Sequence, residues 1–136
     1  MRCLVVDDEQ VTQILMQAML EHYGQCDVAT TGSESVTMFK EALQSDTPYS
    51  LICMDIKLDG MDGLETLRHI RLVEKENSAK ERGPVKVFMV TSHTNIESIK
   101  TAFYEIQCDE YIQKPVDPYQ LRQRLLFHRV IKPPSK

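Results

Sequence analysis

Four groups of polar residues, each at the end of a short apolar run, hold the reactive chemistry of this chain. Asp7, Asp8 and Glu9 follow the run 3–6, Asp55 follows 51–54, Thr91 and Ser92 follow 85–90, and Lys114 with Pro115 follows 110–112. Adjacent carboxylates repel: unit charges about 4 Å apart cost roughly 4 kcal/mol at an effective dielectric near 20, so such a cluster calls for a cation. An oxygen-only donor set suits a hard divalent ion. Mg²⁺ in particular uses one or two carboxylates and keeps positions for a phosphoryl oxygen, and Lys114 adds a second positive charge. No glycine precedes Gly24, so the first turn is neither GxGxxG nor GxxxxGK[ST], which excludes dinucleotide and P-loop nucleotide binding.

The elements that must position these residues follow from periodicity. The runs 3–6, 26–29, 51–54, 85–90 and 110–112 alternate with segments of helical period. That alternation predicts an α/β fold: a doubly wound, five-stranded parallel sheet with helices on both faces. In the first helical segment Val11, Ile14, Leu15, Ala18 and Met19 predict one buried stripe; Ile96, Ile99, Phe103 and Ile106 do so in the fourth. Val36, Phe39 and Leu43 mark the second helix, Leu64, Leu67 and Ile70 the third, and Leu121, Leu125 and Leu126 the last. Asp62 with Glu65 predicts a capping box, and Asp117, Pro118 and Gln120 an N-cap, a first-turn proline and a capping-box glutamine. In an open parallel sheet the ligand crevice lies outside the carboxyl ends of the strands. Alone, Asp7 and Asp8 read as a helix cap, Asp55 as a strand end, Thr91 and Ser92 as turn residues and Lys114 as a surface charge. Their complementary chemistry at four of the five strand ends points to one site.

Composition bounds the rest. The 136 residues suit one core, expected over 1–130, with 131–136 a short Pro-rich tail. Sixteen Lys and Arg against 20 Asp and Glu give a net charge of -4, the wrong sign for holding nucleic acid through phosphate counterion release, so no direct nucleic-acid partner is expected. No apolar run approaches the roughly 18 residues of a membrane span, and the opening run meets Asp7 too early for a signal peptide; a cytoplasmic protein with no membrane partner is the expectation. The four cysteines are spread singly without a CxxC pair, and a reduced state is expected.

The chain resembles the receiver domain of two-component response regulators from Arg2 to about Arg129. The matching pieces are Asp7 and Asp8 in Leu-Val-Val-Asp-Asp, Asp55 in Asp-Ile-Lys-Leu-Asp-Gly-Met-Asp-Gly, Thr91 in Met-Val-Thr-Ser, and Lys114-Pro115 in Tyr-Ile-Gln-Lys-Pro. The resemblance implies a flavodoxin-like fold with strand order 2-1-3-4-5 and Asp55 as phosphoacceptor. It implies Mg²⁺ held by Asp8, Asp55 and the backbone carbonyl of Lys57, with Asp7 acting through water. It further implies that Lys114 pairs with the phosphoryl group, that Thr91 and Tyr111 switch on phosphorylation, and that the bond before Pro115 is cis. The implied donor is a sensor histidine kinase or a histidine phosphotransfer protein. The implied output is a downstream protein or self-association on the face of helix 4, strand 5 and helix 5. On this reading the chain is a signalling switch, and its only catalysis is its own phosphotransfer and slow hydrolysis. Three positions depart from the family pattern: Asp59 replaces a common proline, Lys57 stands two residues after Asp55, and His93 two after Thr91. Lys57 and His93 flank the water path and are expected to set the lifetime of the phosphorylated state. Two other readings stay open: a phosphatase with an aspartyl nucleophile at the first strand, and a pseudo-receiver acting only as an interaction module.

Overall fold

In a computed structural model, which describes residues 1–77, 83–92 and 96–134, the apolar runs form the strands β1 (Arg2–Val6), β2 (Gln25–Ala29), β3 (Leu51–Met54), β4 (Lys86–Thr91) and β5 (Glu110–Gln113). All neighbours pair in parallel, in the order β2-β1-β3-β4-β5. The helices between them are α1 (Gln10–Leu20), α2 (Gly32–Leu43), α3 (Gly63–Glu76), α4 (Ile96–Lys100) and α5 (Pro118–Phe127). β3 and most of β1 are buried without alternation, because helices cover both faces of the sheet. Period-2 geometry sends Leu4, Val6, Ile52, Met54, Val87 and Met89 to one face, against Phe39, Leu67 and Ile70 of α2 and α3. Cys3, Val5, Leu51, Cys53, Phe88 and Val90 go to the other, against Met16 and Leu20 of α1 and Leu121 and Leu125 of α5. Val130 and Ile131 pack on this second face. All four cysteines are buried and unbridged. No helix of the described residues is long and apolar enough to cross a membrane.

Two helices depart from the expected stripes. On α1, Val11, Ile14 and Leu15 are 69%, 58% and 57% exposed, and Met16 and Leu20 carry the contact with the sheet. This helix has apolar residues on two faces, and periodicity alone does not say which one the sheet takes. In the fourth segment, α4 runs into a π-helical turn at Thr101–Glu105. The wider turn shifts the helical phase, so Ala102 joins Ile106 in the core while Ile99 and Phe103 are half-buried. The caps form as expected: the side chains of Asp62 and Asp117 accept from the backbone N–H groups of Glu65 and Gln120 at 2.8 and 3.2 Å, and Thr31 does the same for Glu34 at 3.1 Å.

At the amino ends of the strands two guanidinium groups tie separate segments together. Arg2 pairs with Asp27 at 2.9 Å, donates to the Thr47 carbonyl at 2.8 Å and lies 4.6 Å from the centre of the Tyr49 ring. The Tyr49 hydroxyl donates to the same Asp27 oxygen at 2.6 Å. On the opposite side Arg71 pairs with Glu74 at 2.9 Å and donates to the carbonyls of Val85 and Gln107 at 2.8 and 2.7 Å.

Candidate functional site

The sheet register sets the position of every loop at the carboxyl ends. Val6 lies opposite both Ala29 and Met54, Met54 opposite Met89, and Met89 opposite Tyr111. Asp7 and Asp55 therefore leave the sheet side by side. Their backbones stay pinned to the neighbouring strands: the Asp7 N–H donates to the Ala29 carbonyl at 3.2 Å, and the Asp55 N–H to the Val6 carbonyl at 3.0 Å. Beyond Asp55 the loop alternates buried Ile56 and Leu58 with exposed Lys57 and Asp59. It then turns at Gly60, whose φ of 77° is in the left-handed region. Gly63 brings α3 back onto the loop: its N–H donates to the Ile56 carbonyl at 2.6 Å, and a Cβ at 63 would collide with the Asp55 carbonyl oxygen.

Lys114 completes the cluster from the far side. Its N–H donates to the Thr91 carbonyl at 2.9 Å, and the Lys114–Pro115 bond is cis. Its Nζ lies 2.9 Å from Asp7 Oδ2, 2.9 Å from Asp55 Oδ2 and 3.2 Å from Glu9 Oε1. Three carboxylates thus face one ammonium, leaving an excess of negative charge. Burial raises the Asp7 carboxyl above the ordinary carboxylate range, even though Lys114 and the Glu9 N–H oppose the shift by hydrogen bonding; the charge of Asp55 adds to it. Burial alone would lower Lys114, but its hydrogen bonds to Asp7 and Asp55 outweigh that and hold it well above the usual lysine range. Both shifts express one fact: a partly buried, negatively charged pocket binds protons tightly.

The remaining expected residues occupy graded positions around this centre. Thr91 is fully buried at the end of β4. Half-buried Tyr111 stands in the same register row as Met54, and its hydroxyl is shifted upward by burial and by the charge of Asp55. Lys57 donates its backbone N–H to Asp55 Oδ1 at 3.3 Å. Asp8 is partly exposed and is outside the group of carboxylates that meet here, whereas Glu9 is in it. His93 lies outside the described residues. Gln13, whose side-chain amide donates to the Asp7 carbonyl at 2.6 Å, has no role in the sequence reading, and Glu9 enters there only as a member of the acidic run. The signal for Glu9 was its place in the acidic run; nothing in the sequence marks Gln13.

Asp7, Glu9 and Asp55 each offer a carboxylate oxygen within 4.8 Å of the others. That hard donor set, with its uncompensated negative charge, fits a divalent cation such as magnesium.

Comparison with known proteins places this arrangement. The response regulator receiver domain family matches over residues 3–126. The transcriptional regulatory protein AruR of Pseudomonas aeruginosa is 32% identical over 133 residues, covering 95% of this chain and 50% of that protein. The sensor histidine kinase GacS of Pseudomonas protegens is 30% identical over 125 residues, covering 92% of this chain and 13% of that one. The chain therefore spans no more than half the length of these curated relatives. Among solved structures, a CheY-like response regulator receiver domain protein from Methanospirillum hungatei superposes with a TM-score of 0.75 at 26% identity, over 93% of this chain and 91% of the other. The receiver domain of Ssk1 from Saccharomyces cerevisiae, crystallised with the histidine phosphotransfer signalling protein Ypd1, gives 0.76 at 26% identity, over 91% and 85%.

Proposed function

This chain belongs to the response regulator receiver domain family, and from that premise we propose that it is a cytoplasmic phosphorylation switch with Asp55 as phosphoacceptor. The donor is a phosphohistidine on a sensor kinase or a phosphotransfer protein. The observation that carries this reading is the bridging of Asp7 and Asp55 by Lys114 Nζ at 2.9 Å each, across 107 and 59 residues of sequence.

In this reaction one Asp55 carboxylate oxygen attacks phosphorus, the phosphorus–nitrogen bond to the donor imidazole breaks, and an acyl phosphate forms. Lys114 is placed to neutralise a phosphoryl oxygen, and the N–H of Lys57 orients the attacking carboxylate. By the family resemblance magnesium would be held by Asp8, Asp55 and the Lys57 carbonyl, with Asp7 acting through water, while Glu9, which meets Asp7 and Asp55 in the metal-free site, pairs with Lys114. The bound ion supplies further charge neutralisation for the phosphoryl oxygens. Thr91 and Tyr111 relay the modification toward α4, β5 and α5, the output face for a downstream protein or a second copy. The exposed Val11, Ile14 and Leu15 begin two residues beyond the acidic cluster and suit a docking surface for the donor protein. The receiver would run to about residue 130, and Ile131 still packs on its second face.

Incubation with acetyl phosphate, followed by borohydride trapping and mass spectrometry, tests the assignment. Label is expected on Asp55 only, and only with Mg²⁺ present. Label on Asp7 or Asp8, or equal labelling of an Asp55→Asn variant, overturns it.

A further inference from the structure

Glu9 occupies the N-cap position of α1 yet does no capping. Thr31, Asp62 and Asp117 each cap their helices through the side chain, while Glu9 makes no such bond. Its own N–H is taken by Asp7 Oδ1 at 2.9 Å, and its carboxylate crosses the site to Lys114 Nζ at 3.2 Å. An ammonium has three protons to donate. Those of Lys114 are matched by Asp7, Asp55 and Glu9, so an incoming oxyanion meets a lysine already engaged three times.

One of the three carboxylates must give way before Lys114 can bind a phosphoryl oxygen. Asp7 and Asp55 are buried and pinned through their backbones to the sheet. Glu9 is 65% exposed at its side chain and sits on a longer, freely rotating arm. Resting on the phosphoacceptor reading above, we propose that Glu9 is an internal competitor for Lys114, a specificity-determining residue that keeps small free oxyanions out of the resting site. A phosphoryl group carried by a docked protein arrives at high effective concentration and displaces the Glu9 arm. A free acyl phosphate has only its bulk concentration with which to do so.

The test compares the 136-residue parent chain with Glu9→Gln and Glu9→Asp at saturating Mg²⁺, which removes any effect of Glu9 on metal binding. Glu9→Gln keeps the length and loses the charge; Glu9→Asp keeps the charge, is too short to reach Lys114, and supplies a better helix cap. Both variants are expected to lower the half-saturating concentrations of beryllofluoride and acetyl phosphate by about threefold, the scale of one exposed ion pair. Phosphotransfer from a phosphohistidine protein is expected to change by less than that. A stability role alone would separate the two variants, because only Glu9→Asp gains a cap. Unchanged or weaker beryllofluoride binding in Glu9→Gln, or equal gains with small and protein donors, overturns the proposal. Asp55→Asn serves as the control for the underlying reading: if it binds beryllofluoride as the parent does, the phosphoacceptor assignment has failed instead.

Discussion

Replacing Lys114 with Met should turn Asp55 from a nearly neutral residue into a clearly destabilising one. At the 4.8 Å limit within which the acidic oxygens gather, two carboxylates repel by about 3.5 kcal/mol at an effective dielectric near 20. An ammonium 2.9 Å from each attracts it by about 5.7 kcal/mol on the same scale. In the parent, Asp55→Asn loses the attraction of Lys114 and the repulsion of Asp7 and Glu9 together. On this scale the two repulsions slightly exceed the attraction, so Asp55→Asn should be neutral to mildly stabilising, by about 1.3 kcal/mol at most. Lys114→Met alone strands Asp7 and Asp55 in a buried pocket and should cost about 3 kcal/mol, the low end for breaking a buried pair, because Asp7 is already inclined to take up a proton. In that background Asp55→Asn should stabilise by about 2 kcal/mol, because only repulsion remains to be relieved. Urea unfolding of the four proteins at pH 7.5 with EDTA measures the cycle, and an unchanged denaturant slope validates the two-state comparison. If Asp55→Asn has the same effect in both backgrounds, the three-carboxylate cage around Lys114 is not the electrostatic unit described above.

Mg²⁺ at about 100 times its dissociation constant should add roughly 2.7 kcal/mol, or about 9 °C in melting temperature, and Asp55→Asn should blunt that response; a scan of the parent indifferent to Mg²⁺ would contradict this. Asp7 has a raised folded pKa, so its contribution to metal-free stability is full below the unfolded value of 3.8 and is lost as pH rises through the folded value. Asp7→Asn should flatten that window in urea titrations and be more stable than the parent at pH 7. Lys57→Asn should shorten the lifetime of the phosphorylated state if the exposed lysine side chain covers the approach of the hydrolytic water, as proposed; decay rates equal to or slower than the parent's would refute this. Leu15→Asp should slow phosphotransfer from a phosphohistidine protein by about tenfold, the scale of losing an interface anchor, with acetyl phosphate labelling intact.

Alternation of strands and helices was legible in the sequence because buried parallel strands of β1 and β3 type leave unbroken apolar runs, and the polar residues that end them are unmistakable. Asp7, Asp55 and Lys114 could be named from those ends alone. Direction within a loop was not legible: Asp8 and Glu9 are consecutive acids, and only the backbone angles at the entry to α1 decide which one faces Lys114. The same limit explains α1, where two apolar stripes compete and the sheet takes Met16 and Leu20. It also explains the π-helical turn at Thr101–Glu105, which no residue type announces. The 2.6 Å contact between His128 and Glu110 was equally hidden, because it joins the end of α5 to the start of β5 through tertiary packing alone.

The guanidinium ties of Arg2 and Arg71 make the sheet a cantilever. Clamped on its β1–β2 side through Asp27 and Tyr49, and on its β4–β5 side through Val85 and Gln107, it cannot splay at the amino ends of the strands. A displacement started by modification of Asp55 would act at the opposite, carboxyl end of this beam. With the amino ends held, such a displacement would fall on α4 and the wide turn at Thr101–Glu105 that breaks it.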